Sequence, residues 1–131
     1  MKRVVDGDTL DVVLEGGDRR VRLIGIDAPE SDEGECGQLA EEHLVSLAPA
    51  GAGVRLAFDA ECQDAYGRDL AYLFHDDALL NAAMLRDGFA QPCPFEPNTA
   101  YAETFRCLGE RAAAEGTGLW ALGCNRDACF R

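Results

Sequence analysis

Residues Val21–Glu30 read VRLIGIDAPE, and the rest of the chain is organised around them. Val21, Leu23, Ile24 and Ile26 describe a buried strand, in which Gly25 permits a bend or a close approach by another segment. The strand stops at Asp27-Ala28-Pro29-Glu30. Pro29 has no N–H for a ladder and holds Ala28 extended. One short segment therefore carries a cation at Arg22, a carboxylate fit for a metal at Asp27 and a candidate base at Glu30, the last on a stiff turn. Upstream, Val5-Asp6-Gly7-Asp8-Thr9 adds acid on a glycine turn, and downstream Tyr66-Gly67-Arg68 adds a second arginine.

Working outward, Arg3–Val5 and Leu10–Leu14 are expected as two short strand segments around the Asp6–Thr9 turn. Gly16-Gly17-Asp18 is expected as a hairpin turn and Arg19–Ile26 as the return strand. Antiparallel pairing then carries Asp8 toward the far end of Val21–Ile26, near Asp27. Ser31–Glu35 reads as an acidic loop. Gln38–Leu47 has apolar residues at helical spacing and is closed by Pro49 and Gly51. Val54–Phe58 is a strand with Val54, Leu56 and Phe58 on one face, Glu61–Gly67 a polar turn and Leu70–Phe74 the next strand. Asp76-Asp77 turns the chain into a helix over Leu79–Arg86. Gln91–Asn98 is a proline-rich loop. Thr99 is placed as N-cap of a last helix running to about Ala114, with Glu103 in its early turns. Gly116-Thr117-Gly118 ends that helix, and Leu119-Trp120 packs back on the core. This order suits an antiparallel barrel with helices at one side better than alternation of strand and helix.

At 131 residues with 47% hydrophobic content, the chain reads as one domain spanning 1–131 with a real core. It reads as trimmed at its start, since Met1-Lys2 abuts the first strand, and residues 119–131 form a cysteine-containing tail. No apolar run approaches a membrane span. The net charge of -12 and pI near 4.4 argue against a polyanion partner taken alone. The basic side is almost all arginine, however, and two arginines focused in one cleft bind phosphate locally while the far surface stays acidic. The six cysteines form no C-x-x-C pair and point to disulfides in an exported protein rather than to zinc. Their pairing is left open, Cys124 with Cys129 being the easiest to draw.

Val5–Thr9, Arg22–Glu30 and Asp64-Ala65-Tyr66-Gly67-Arg68 resemble the three active-site blocks of the staphylococcal nuclease (thermonuclease) family. The likeness continues through Leu70-Ala71-Tyr72, Asn81–Gly88, Pro97-Asn98 and Gly118-Leu119-Trp120, covering nearly the whole chain. The resemblance implies an α+β, β-barrel-rich fold: a five-stranded oligonucleotide-binding (OB) barrel with about three α-helices at its side. It also implies calcium-dependent, sugar-nonspecific hydrolysis of single-stranded or frayed DNA and RNA, in a secreted or periplasmic monomer without membrane attachment.

Residue by residue, it assigns Asp8, Asp27 and the backbone carbonyl of Ala28 to calcium, an ion that takes hard oxygen ligands. Glu30 matches the group that activates or orients water, Arg22 and Arg68 the pair that holds the scissile phosphate. Tyr66 matches a tyrosine that hydrogen-bonds phosphate. Two departures concern substrate binding. Ala65 replaces a phosphate-contacting lysine, and Cys93 and Phe95 align with stacking tyrosines, of which only Phe95 can stack on a base. Each residue also has a structural alternative: a turn carboxylate for Asp8 and Asp27, a cross-sheet ion pair for Arg22, a turn pair with Asp64 or Asp69 for Arg68, a solvated loop side chain for Glu30, barrel-edge packing for Tyr66. The alternative function is a non-catalytic OB module that binds nucleic acid or a protein partner. The complete set of site residues favours the enzyme.

Overall fold

The computed structural model describes residues 1–31, 34–124 and 129. Among the described residues, eight strands and three helices build an α+β fold. The strands are β1 (Arg3–Asp6), β2 (Thr9–Leu14), β3 (Gly17–Leu23), β4 (Ile26–Asp27), β5 (Val54–Ala57), β6 (Asp69–His75), β7 (Ala78–Leu79) and β8 (Gln91–Pro92). The helices are α1 (Glu35–Leu47), α2 (Leu80–Arg86) and α3 (Ala102–Glu115), followed by a 3-10 turn over Gly118–Leu122. The main sheet runs β1-β2-β3-β6-β5, with β7 paired to β6. Its two ends approach each other at Met1, whose carbonyl accepts the Gly51 N–H while its amino group donates to the Ala52 carbonyl.

Period-two patterning decides which face is core. Leu10 and Val12 of β2, Val21 and Leu23 of β3, and Ala71 and Leu73 of β6 point inward and are fully buried. Leu44 of α1, Leu80, Met84 and Leu85 of α2, and Phe105 of α3 close over them. Leu119 joins the same core, so the segment after α3 packs back as expected. Gly116, at positive φ, takes the left-handed position that ends α3.

Several expectations change. The hairpin turn is Glu15-Gly16, because Gly17 already pairs with Leu14. The return strand stops at Leu23. Gly25 sits at φ 80°, and a Cβ there would lie 2.8 Å from the Phe105 ring, so the chain turns sharply under α3. Asn81 of α2 braces that break: its amide donates to the carbonyls of Ile24 and Ala71 and accepts from Leu73 N–H. The barrel is not wholly antiparallel, since β3 pairs in parallel with β6 after a connection through α1 and β5. Part of the expected proline-rich loop is strand, with β8 pairing against β4 as Ile26 to Pro92 and Asp27 to Gln91.

β5 ends at Ala57 and leaves Phe58 half-exposed. Thr99 is not the N-cap of α3; Tyr101 is, and Thr99 instead accepts the Ala102 N–H in the turn before it. Cys124 and Cys129 do not pair with each other. Cys36 bonds to Cys124 and Cys93 to Cys129, joining the tail to α1 and to the segment after β8, while Cys62 and Cys107 are unbridged. Asp32 and Glu33 of the expected acidic loop, and residues 125–128, 130 and 131 of the expected tail, lie outside the described residues.

Candidate functional site

The site begins where the two acidic turns meet. Thr9 pairs with Arg22, and the Leu23 N–H extends that ladder to the Asp8 carbonyl at 2.9 Å. The Asp8 side chain then reaches toward the end of the neighbouring strand. Its Oδ1 accepts the Thr9 hydroxyl at 2.9 Å and its Oδ2 accepts the Ala28 N–H at 2.8 Å. Asp8 is only 6% exposed and Asp27 4%, so both carboxylates are held in a half-dry setting. Arg22 lies between them, with Nη2 at 3.4 Å from Asp8 Oδ2 and from Asp27 Oδ1. Its Nη1 donates to the carbonyls of Leu23 and Ile26, each at 2.8 Å, which fixes the guanidinium across the strand break.

The Pro29-Glu30 turn is pinned from both sides. Ser31 donates its N–H to Asp6 Oδ1 at 2.8 Å and its hydroxyl to the Val5 carbonyl at 2.7 Å. Gly37 of α1 presses on the Glu30 backbone so closely that a Cβ would fall 1.7 Å from the Glu30 carbonyl oxygen. Gly7 is also tight, since a Cβ there would lie 2.7 Å from the Ala40 Cβ and 2.8 Å from the Ala28 Cβ. Glu30 itself is exposed at the mouth.

The opposite wall is the loop before β6. Asp64 is its hub: Oδ1 accepts the N–H groups of Tyr66 and Arg68, and Oδ2 accepts Arg68 Nε at 2.6 Å. Burial pushes the Asp64 carboxyl up, but the Arg68 guanidinium and the two backbone donors outweigh it and hold the group below the ordinary carboxylate range. Arg19 and Gln63 both take Asp69, leaving Asp64 to Arg68. Tyr66 is 86% exposed, with the Arg68 guanidinium 5.8 Å from its ring centroid. Asn98 joins this wall to the segment carrying Phe95 by bonding both the N–H and the carbonyl of Glu61.

These walls enclose one open cleft of about 770 Å³. Asp8, Arg22, Asp27, Ala28 and Glu30 line one side, and Tyr66, Arg68 and Phe95 the other. All eight sequence-predicted residues thus come together. Ala65 lines the cleft without a charge. Cys93 is buried, and the Cys93 and Cys129 sulfurs lie within 4.8 Å of an Asp27 oxygen. Bonded to each other, they offer no thiolate, so the ligand atoms at Asp27 remain hard oxygens. Sequence reasoning missed Gly37, Ser31 and Asn98. Gly37 stood just before the expected helix at Gln38 and so gave no signal; with α1 starting at Glu35 it is a helical glycine, which costs about 1 kcal/mol relative to alanine and asks for a packing reason.

The arrangement can grip a phosphate between two arginines, beside a pair of carboxylates able to hold a hard cation. Comparison with known proteins agrees with that chemistry. The family described as staphylococcal nuclease homologue matches residues 20–122. The chain is similar to a thermonuclease of Staphylococcus intermedius, at 32% identity over 92% of this chain and 74% of the relative. It is similar to a thermonuclease of Staphylococcus hyicus at 29% identity, over 91% of this chain and 73% of the relative. Endonuclease YncB of Bacillus subtilis (strain 168) is 31% identical over 92% of this chain and 60% of its own length.

Proposed function

The chain belongs to the family of staphylococcal nuclease homologues and is a nuclease, and from that premise we propose a calcium-dependent enzyme that hydrolyses phosphodiester bonds of both DNA and RNA. The observation that carries the proposal is the convergence of Asp8 and Asp27 on Arg22, facing Arg68 across one cleft.

Asp8, Asp27 and the Ala28 carbonyl are the groups that would hold the cation. The fit rests on the donor set, two nearly buried carboxylates and a carbonyl with no soft ligand offered. A bound divalent cation supplies charge neutralisation at the phosphate oxygens and polarises the phosphoryl group.

The chain's own residues supply the rest. Arg22 and Arg68 bind the scissile phosphate, where charge builds on the equatorial oxygens as water attacks in line. Arg22 is already fixed by two backbone carbonyls and Arg68 by Asp64, so both arrive preorganised. Glu30 takes or directs the proton of the attacking water, and the turn held by Ser31 and Gly37 keeps it in place. Tyr66 hydrogen-bonds a neighbouring phosphate, and Phe95, 57% exposed, stacks on a base. A single strand or frayed end suits an open cleft with a stacking face. With no lysine at position 65 and Cys93 in a disulfide, substrate binding is weaker while the chemistry is complete.

The two disulfides support an oxidising destination, secreted or periplasmic, for a monomeric single domain. Among the described residues no helix is long and apolar enough to cross a membrane. The test is hydrolysis of single-stranded DNA and of RNA in millimolar calcium and in chelator, with Arg68→Ala beside the parent. Cleavage of both polymers, lost in chelator and reduced on the order of 100-fold in the variant, is expected. Calcium-independent cleavage would remove the cofactor from the proposal, and cleavage of one polymer alone would remove its breadth.

A further inference from the structure

The outer face of the β1–β2–β3 meander carries cations in register with the cleft. On β3, Arg20 lies two residues before Arg22 and so on the same face, about 7 Å away. Across the sheet Arg20 is opposite Asp11, and Asp11 on its other side is opposite Arg3. This transverse row is the next one out from the Thr9–Arg22 row that borders the cleft. Asp11 accepts Arg3 Nε at 2.9 Å, and Nε and Nη2 of Arg20 at 2.9 and 3.2 Å. Asp11 thus serves two guanidiniums, and Asp6 beside the row also attracts Arg20 through space.

Both arginines face solvent, their side chains 63% and 44% exposed. Arg3 Nη1 and Nη2 and Arg20 Nη1 have no hydrogen-bond partner among the described residues. The chain's other exposed clusters balance differently: Arg86 is matched by Asp87, and Arg106 is outnumbered by Glu103 and Glu110. In a chain of net charge -12, two exposed arginines with spare donors on the face that borders the cleft are the feature to explain.

We propose that Arg3 and Arg20 form an accessory phosphate-binding row, over which a single-stranded nucleic acid continues after leaving the cleft. The inference rests on the nuclease reading for its ligand class. Guanidiniums bind phosphate oxygens through several N–H donors, and here Arg3 keeps both Nη groups and Arg20 one Nη group unpaired on exposed side chains beside Arg22. Asp11 is the internal competitor. It holds the two arginines in position and lowers their cost of ordering, and it sets the row's affinity low enough for the polymer to leave.

The test is fluorescence anisotropy with a labelled single-stranded DNA of about 20 nucleotides, long enough to cover more than one site, titrated in calcium over a salt series. Glu30→Gln serves as the parent, so that the probe survives. Arg3→Gln with Arg20→Gln is added to it, and Arg86→Gln with Arg106→Gln is the control of equal charge change. The expected result is about fivefold weaker binding and a salt slope smaller by about 1.4, the value for two lost single-strand contacts, with little change in the control. Asp11→Asn should shift binding the other way. KM for cleavage of the long strand by the enzyme with Glu30 intact should rise in the double variant, while cleavage of a dinucleotide stays unchanged. Equal loss in the control, or equal loss on dinucleotide and long strand, would overturn the row and leave a role in bracing the meander. No effect on either substrate would overturn it while the nuclease stands. A parent that does not bind DNA at all would remove the nuclease's substrate class and the row with it.

Discussion

Asp64 and Gly37 act on other residues of the cleft. Asp64 binds Arg68 at the guanidinium and at the backbone and also closes the turn at Tyr66, so one carboxylate braces two residues that line the cleft. Asp64→Asn keeps an acceptor for the backbone donors but drops the ion pair. The expected outcome is a kcat lower by about ten- to a hundredfold, the scale of a misplaced catalytic group, with a somewhat lower unfolding temperature but a folded protein at the assay temperature; an unchanged kcat would show that Arg68 needs no such partner. Gly37→Ala sets two effects against each other. Helix propensity gains about 1 kcal/mol, but a Cβ placed 1.7 Å from the Glu30 carbonyl forces the backbone apart. Overpacking typically costs about 1–3 kcal/mol, so the variant should lose both stability and activity, read by thermal melts and initial rates. The placement of Asp8, Asp27 and Glu30 around one cleft was legible because they stand on short stiff turns at fixed spacing. The choice between Asp64 and Asp69 as partner of Arg68 was not. It depends on Arg19, distant in sequence, which takes Asp69.

Strands and helices followed their hydrophobic periods: β2, β3, β6, α1 and α2 fall close to where alternation and helical spacing put them. What escaped the sequence depends on contacts between distant segments. The two-residue β4–β8 pair exists because Gly25 turns beneath Phe105, and neither residue announces the other. The parallel β3–β6 pair follows from the crossover, not from either strand's composition. Thr99 offered the right cap chemistry, yet the chain turns once more before α3, and Tyr101 takes the position. The cysteines are the plainest case. Their partners lie 88 and 36 residues apart, which spacing cannot pair. These two bridges anchor the tail to the start of α1 and to the segment after β8. A bridge closing loops of this length stabilises by about 2–4 kcal/mol. Thermal unfolding with and without a dithiol reductant should therefore show a clear fall in Tm on reduction. An unchanged Tm, with thiol titration confirming that the bridges had opened, would contradict the pairing.

Acidity governs the behaviour of the entire molecule. Asp11 is held below the ordinary carboxylate range by its hydrogen bond to Arg20, helped by Arg3, and Asp59 by the Tyr72 hydroxyl and the N–H groups of Ala100 and Ala60. Asp64 and Asp87 are lowered despite burial, the latter by Arg86 and His43. Each of these groups binds its proton less readily folded than unfolded, so the unfolded chain takes up more protons near the ordinary carboxylate pKa of about 4. Their stabilisation is full above that range and is lost as pH falls through the lowered folded values. Tm should accordingly drop in a titration below about pH 4, and Asp11→Asn should flatten the fall; a Tm that held or rose there would contradict the account. Function asks the same acidic chain to act on a polyanion, and the proposed phosphate contacts sit in one cleft and on the row beside it. The most direct check is the rate of single-stranded DNA cleavage by Glu30→Gln against the parent at saturating calcium, both shown folded by near-UV circular dichroism. A drop of about 100-fold or more with unchanged KM is the predicted result. Equal rates would show that Glu30 handles no proton and would contradict the central assignment.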